Sequence, residues 1–132
     1  MSPTVHIAEG ATWQLRGDVA LTNVTVSGSG TVEGGTLTDP TVKGLWTEDG
    51  KLEEGPRFTG TVAGRLTVDL GCTEETRLPQ PLPKKVRIAT CPNAGSLKFR
   101  VKGVGSGYHA TVERDGDDVL CTVSTGLVIF VL

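Results

Sequence analysis

Several groups of side chains in this chain have the type or spacing that chemistry needs. Glu113, Asp115, Asp117 and Asp118 crowd one short stretch, the oxygen-rich composition of a calcium loop. They lack the EF-hand order of ligands and its closing Glu, so they read as the solvated tip of a hairpin around Asp115-Gly116. His6 and His109 are the two histidines, and no motif gives either a Ser or Cys to activate. Cys72, Cys91 and Cys121 are widely spaced and form no CxxC pair, which points to small buried hydrophobes rather than metal ligands. GSGTVEGG, residues 28–35, is glycine-rich enough to cradle a phosphate, but it matches neither the P-loop nor the Rossmann spacing and no helix follows it. Arg16-Gly17-Asp18 spells an adhesive tripeptide and reads as an ordinary turn.

Two features are better candidates for binding than for catalysis. Lys98, Arg100 and Lys102 alternate with Leu97, Phe99 and Val101, so a strand there has one basic and one apolar face. Bases of single-stranded nucleic acid stack on aromatics that share the basic face, and here the two are separated. The basic row is therefore a candidate docking face for an acidic surface or polysaccharide, with no nucleic-acid partner. Trp46 sits beside Asp49-Gly50, a tight hairpin signal between Leu45-Trp46 and Lys51-Leu52, and is a candidate for binding glycan from a projecting hairpin. So few histidines and aromatics argue against a buried active site, and the chain is read as a non-enzyme with no cofactor and no metal.

The elements that would position these residues are β-strands. A chain of 132 residues is one domain by length, and its composition is 37% hydrophobic and 21% charged with a net charge of -2. Positions 1–71 carry five basic and nine acidic side chains, positions 72–132 eight and six, so the halves differ in sign. Twelve of the 18 glycines fall in the first half among many Thr and Val residues, the composition of short strands punctuated by turns. No positively charged start leads into an apolar run, and no apolar stretch is long enough to span a bilayer, so neither a signal peptide nor a membrane partner is expected.

LTNVTVSG at 21–28 and LTDPTVKG at 37–44 align without gaps, Leu21 on Leu37 and Asn23 on Asp39, with TVEG at 31–34 between them. Three short strands per coil fit that spacing. Two clean copies are few for a single-chain solenoid, so closure among three chains is expected. The pattern recovers as FTGTVAG and LTVDLG, and CTEETRLPQPLP (72–83) then marks a junction in which three prolines alternate. Beyond it, 86–90, 97–102, 108–112, 119–123 and 127–132 read as five strands of an antiparallel sandwich. The expected fold is thus all-β: a short β-helical or β-prism-like stem (1–71) with a projecting hairpin, the junction (72–83), and a small antiparallel β-sandwich head (84–132), assembled as a trimer.

Leu82-Pro83 before Val86-Arg87, Tyr108 to Val112 leading to Asp115-Gly116, and the closing Gly126 to Phe130 are similar to fibre-tip domains. Together with the Thr/Gly/Val stem, the arrangement resembles bacteriophage virion structural proteins of the trimeric fibre and capsid decoration type. The resemblance implies a homotrimer, made in the host cytoplasm and carried on the virion surface, in contact with the major capsid protein or with tail proteins. Its short length suits a decoration protein that stabilises the shell. The alternative is a minor tail or fibre-tip protein that binds a host receptor or surface glycan.

Overall fold

The computed structural model describes residues 3–125. The first ten strands are β1 (Thr4–His6), β2 (Thr12–Gln14), β3 (Ala20–Thr22), β4 (Thr25–Ser27), β5 (Thr31–Glu33), β6 (Thr36–Thr38), β7 (Thr41–Lys43), β8 (Arg57–Phe58), β9 (Thr61–Ala63) and β10 (Arg65–Asp69). They visit three sheets in rotation. β1, β4, β7 and β10 lie side by side in the first sheet, β2, β5 and β8 in the second, and β3, β6 and β9 in the third. Every one of these pairs is parallel. The protein is all-β, and among the described residues these sheets pair strands of one chain.

A short repeated unit explains the strands. The middle residue of each Thr-apolar-X triplet points inward and stacks on its equivalent in the next coil: Val26, Val42 and Val68 in the first sheet are each fully buried. Leu37 pairs with Val62 in the third sheet, and Val32 with Phe58 in the second, all of them buried. Flanking threonines point outward and stack in the same way, Thr25 on Thr41 on Thr67. β-branched side chains fit this pleated, half-buried surface.

The corner from the third sheet to the first explains why the two aligned copies agree at their Asn/Asp position. Asn23, Asp39 and Gly64 each follow a strand of the third sheet, and their φ values are 58°, 52° and 78°. Asn, Asp and Gly are the residues that tolerate this left-handed region. Asp39 also uses its side chain, since Oδ1 accepts the Arg65 backbone N–H at 3.0 Å.

The remaining strands are β11 (Val86–Thr90), β12 (Lys98–Lys102), β13 (Tyr108–Asp115) and β14 (Asp118–Thr125), with one 3₁₀ turn at Ala94–Ser96. Four of the five strands expected for the head are therefore present close to their expected bounds, and the fifth, 127–132, lies outside the described residues. Their assembly differs from a separate sandwich. β12 adds in parallel to β10 and extends the first sheet, while β11 adds in parallel to β8 and extends the second. Only β14 and β13 are antiparallel, pairing outward from β11, and the turn at Gly116 (φ 63°) closes their hairpin. Parallel and antiparallel partners demand the same local alternation, so the sequence pattern does not separate them.

The coils also outnumber the two visible copies. Thr4 pairs with Thr25, Thr25 with Thr41, Thr41 with Thr67 and Thr67 with Arg100, so the coil from Thr25 to Thr41 is the shortest and those after it grow longer. TVAG at 61 is not the next copy of TVKG; Thr61 pairs with Thr36 in the third sheet, and Thr67 follows Thr41. The added length comes from excursions at one corner, between the first and second sheets, at 44–56 and 70–85. The third sheet ends at β9. There the side chain of Asn93 meets the backbone of Val62, donating from Nδ2 to its carbonyl at 2.6 Å and accepting its N–H on Oδ1 at 3.3 Å.

All three thiols are free, and Cys91 and Cys121 are fully buried. Burial holds the Cys91 thiol up to about 12, with the negative charge of Asp117 adding to it, and burial alone holds Cys121 up to about 11. The ordinary value is 9.0, so the unfolded chain releases these protons first. The stabilisation is complete below about 9 and falls as pH climbs through the folded values. Chemical denaturation at pH 8 and pH 10.5 is expected to show lower stability at the higher pH, and Cys91→Ala with Cys121→Ala should flatten that dependence.

Candidate functional site

β12 carries the basic row as expected: Lys98, Arg100 and Lys102 are exposed, and Phe99 and Val101 between them are half-buried toward the core. β10 adds a cation that sequence spacing did not reveal. Arg65 pairs directly with Lys98, Thr67 with Arg100, and Asp69 with Lys102. β10 and β12 are far apart in the chain, and only the register of a coil with a long excursion brings them together.

The four cations line a groove of about 700 Å³ on the outer face of the first sheet, floored by Thr41 and Thr67. Alternate residues of one strand stand about 6.6 Å apart and neighbouring strands about 4.8 Å apart, so the charges form a close two-dimensional array. Among the described residues none of the four has a carboxylate within 4.0 Å; the ion pairs are Lys85 with Glu113 and Arg87 with Glu54. Asp39 is the one acid in the groove lining, which gives four positive charges, one negative and a net of +3 on a chain whose total is -2. Directly opposed like charges such as Arg65 and Lys98 oppose strand pairing, and an anion laid across them relieves that repulsion. No aromatic side chain lines the groove among the described residues. Its charge and shape suit the electrostatic docking of a multivalent anionic surface.

Trp46 is placed elsewhere and is not free. Its Nε1 donates to the Leu70 carbonyl at 2.8 Å, and the residue is half-buried against the core. The hairpin around Asp49-Gly50 does form, with Trp46 bridged to Leu52 and the Thr47 N–H donating to the Lys51 carbonyl. It folds back rather than projecting: Leu52 is buried, and Gly50 lies against the ring of Pro79 in the 72–83 segment. The acidic tip is likewise occupied in part, since Asp118 Oδ1 accepts the Thr90 hydroxyl at 2.9 Å. His6 Nδ1 lies 2.9 Å from the Ser27 hydroxyl, whereas His109 sits exposed on β13, so the two histidines belong to different strands and different partners. Among the described residues no group of three His, Cys, Asp or Glu side chains is arranged to hold a metal ion.

No protein-family model, no curated protein and no solved structure matches the chain.

Proposed function

We propose that the chain is a non-enzymatic structural protein of a bacteriophage virion, a decoration protein that seats on the capsid through its basic groove and stabilises the shell. The observation that carries this reading is the array of Arg65, Lys98, Arg100 and Lys102, without ion-pair partners among the described residues, on adjacent strands of a stacked, all-β body. A stack of short strands makes a stiff support, and a row of cations facing outward gives it an adhesive side. Many copies of such a modest contact add up over a lattice of capsid subunits. Trimer formation is part of the proposal as the way to seat on threefold positions of the shell. The protein would be made in the host cytoplasm and reside on the virion surface. The tail-tip alternative leans on Trp46 as a glycan platform, and its tether to Leu70 speaks against that use.

Purified particles from cells that encode the chain should carry it at regular capsid positions in electron micrographs, and native mass spectrometry should give three times 13.8 kDa. Lys98→Glu with Arg100→Glu should leave the β-sheet circular dichroism intact and strip the protein from particles at moderate salt. Particles that lack the wild-type protein overturn the virion assignment; a stable monomer overturns the trimer alone; retention of the double variant overturns the groove as the docking face.

A further inference from the structure

Both long excursions between the first and second sheets leave at one corner, and that corner borders a second cavity, open to solvent and of about 710 Å³. It is separate from the basic groove and differently built. On its wall lies Arg87 of β11, whose side chain is only 9% exposed. Nη1 of this guanidinium donates to the Thr90 hydroxyl at 3.2 Å and reaches the Pro56 carbonyl at 3.5 Å. Nε is buried and has no hydrogen-bond partner among the described residues, and neither of those two bonds uses Nη2. The unsatisfied edge, Nε with Nη2, is the fork that receives both oxygens of a carboxylate side-on. Glu54 Oε2 stands 3.4 Å from Nε, near enough to neutralise it, yet without hydrogen-bond geometry and on a side chain that is 63% exposed. A buried donor left without a partner is costly, so the site is under-satisfied with Glu54 as its carboxylate.

We propose that this corner cavity binds a hydroxyl-rich monocarboxylate, a uronic acid or a short saccharide with a single uronate unit, whose carboxylate displaces Glu54 and closes the Arg87 fork. Arg57 of β8, level with Thr90 of the neighbouring strand, supplies a second cation at the mouth. Glu9 and Glu53 line the cavity with His6 and Ser29 and can accept or donate to ring hydroxyls. With Arg57 and Arg87 against Glu9, Glu53 and Glu54, the lining already has one more acid than base, counting His6 as neutral. It therefore suits one carboxylate that takes the place of Glu54 and rejects a polyanion. The volume lies within the range of roughly 300–1,000 Å³ typical of small-ligand sites.

The test is calorimetric titration of the full chain with galacturonate, glucuronate, glucose, acetate and inorganic phosphate. Galacturonate is expected to bind and glucose not. Glu54→Gln, at an exposed side chain, removes the competing carboxylate and should tighten galacturonate about tenfold, whereas Arg57→Ala should weaken it several-fold. Arg87→Lys, which keeps the charge and loses the fork, should abolish binding, with circular dichroism as the check on folding. No uronate binding at about 10 mM, or equal affinity for glucose, overturns the proposal. An unchanged affinity in Glu54→Gln overturns the Arg87 fork as the site. Acetate or phosphate binding as tightly as galacturonate overturns the saccharide part.

Discussion

Gly55→Ala is expected to lower the melting midpoint by roughly 10 °C, the equivalent of about 3 kcal/mol or more for a chain of this size. Gly55 lies where the 44–56 excursion crosses β11 on its way back to the second sheet. A Cβ added there would stand 1.8 Å from the Ile88 carbonyl oxygen and 2.6 Å from its carbon. Both are backbone atoms of a fully buried strand residue, so neither can rotate away. The excursion cannot retreat either, because the Gly55 N–H donates to the Arg87 carbonyl at 2.9 Å and the Pro56 carbonyl receives the Arg87 guanidinium. Gly17→Ala is the matched control. That glycine has φ 64° and open space around it, so alanine there meets only the left-handed backbone penalty of about 1–2 kcal/mol. Thermal scans by circular dichroism separate the two, and a Gly55→Ala midpoint no lower than that of Gly17→Ala would sink the close-approach account.

The excursions also decide how much of the fold can be read from the sequence. The gapless alignment of Leu21 with Leu37 is the true register of β3 and β6, and it is legible because that one coil carries no insertion. The match of Asn with Asp in it carries backbone information, the positive φ of Asn23 and Asp39. The next coil, Thr41 to Thr67, is the same unit lengthened at a single corner, which breaks the period although the inward valine and outward threonine continue; the coil from Thr67 to Arg100 is lengthened at that corner too and has a 3₁₀ turn in place of its third-sheet strand. Strand bounds in the second half are legible from alternation, as for β12, but their partners are not, because Lys98 to Lys102 would alternate identically beside a parallel or an antiparallel neighbour. The binding face divides in the same way. A row within one strand, Lys98, Arg100 and Lys102, is visible in the sequence; Arg65, its partner across the ladder, needs the register. Arg87 looks like any basic residue in a strand, and nothing local marks it as buried with an unsatisfied edge.

Asn93 is the point where a missing strand is replaced by a side chain. The last coil has a 3₁₀ turn where a fourth strand of the third sheet would lie, so the N–H and carbonyl of Val62 on β9 face an open edge. Val62 itself is fully buried, and water is therefore a poor substitute partner. The carboxamide of Asn93 offers one acceptor and one donor, the same pair that a strand backbone would present, and it takes both groups at 3.3 and 2.6 Å. Asn93→Ala should leave two buried polar groups unpaired and cost about 2–4 kcal/mol, read as the shift in denaturant midpoint. Asn93 also precedes the 3₁₀ turn, where Asp would serve as well as Asn if capping were its role, yet it makes no capping hydrogen bond there. Asn93→Asp separates the two roles. A carboxylate still accepts the Val62 N–H but turns an oxygen onto the Val62 carbonyl, so the edge role predicts a loss comparable with that of alanine. A variant Asn93→Asp as stable as the wild type would instead assign the residue to the turn and leave the edge of β9 to be held by the packing of Val62 alone.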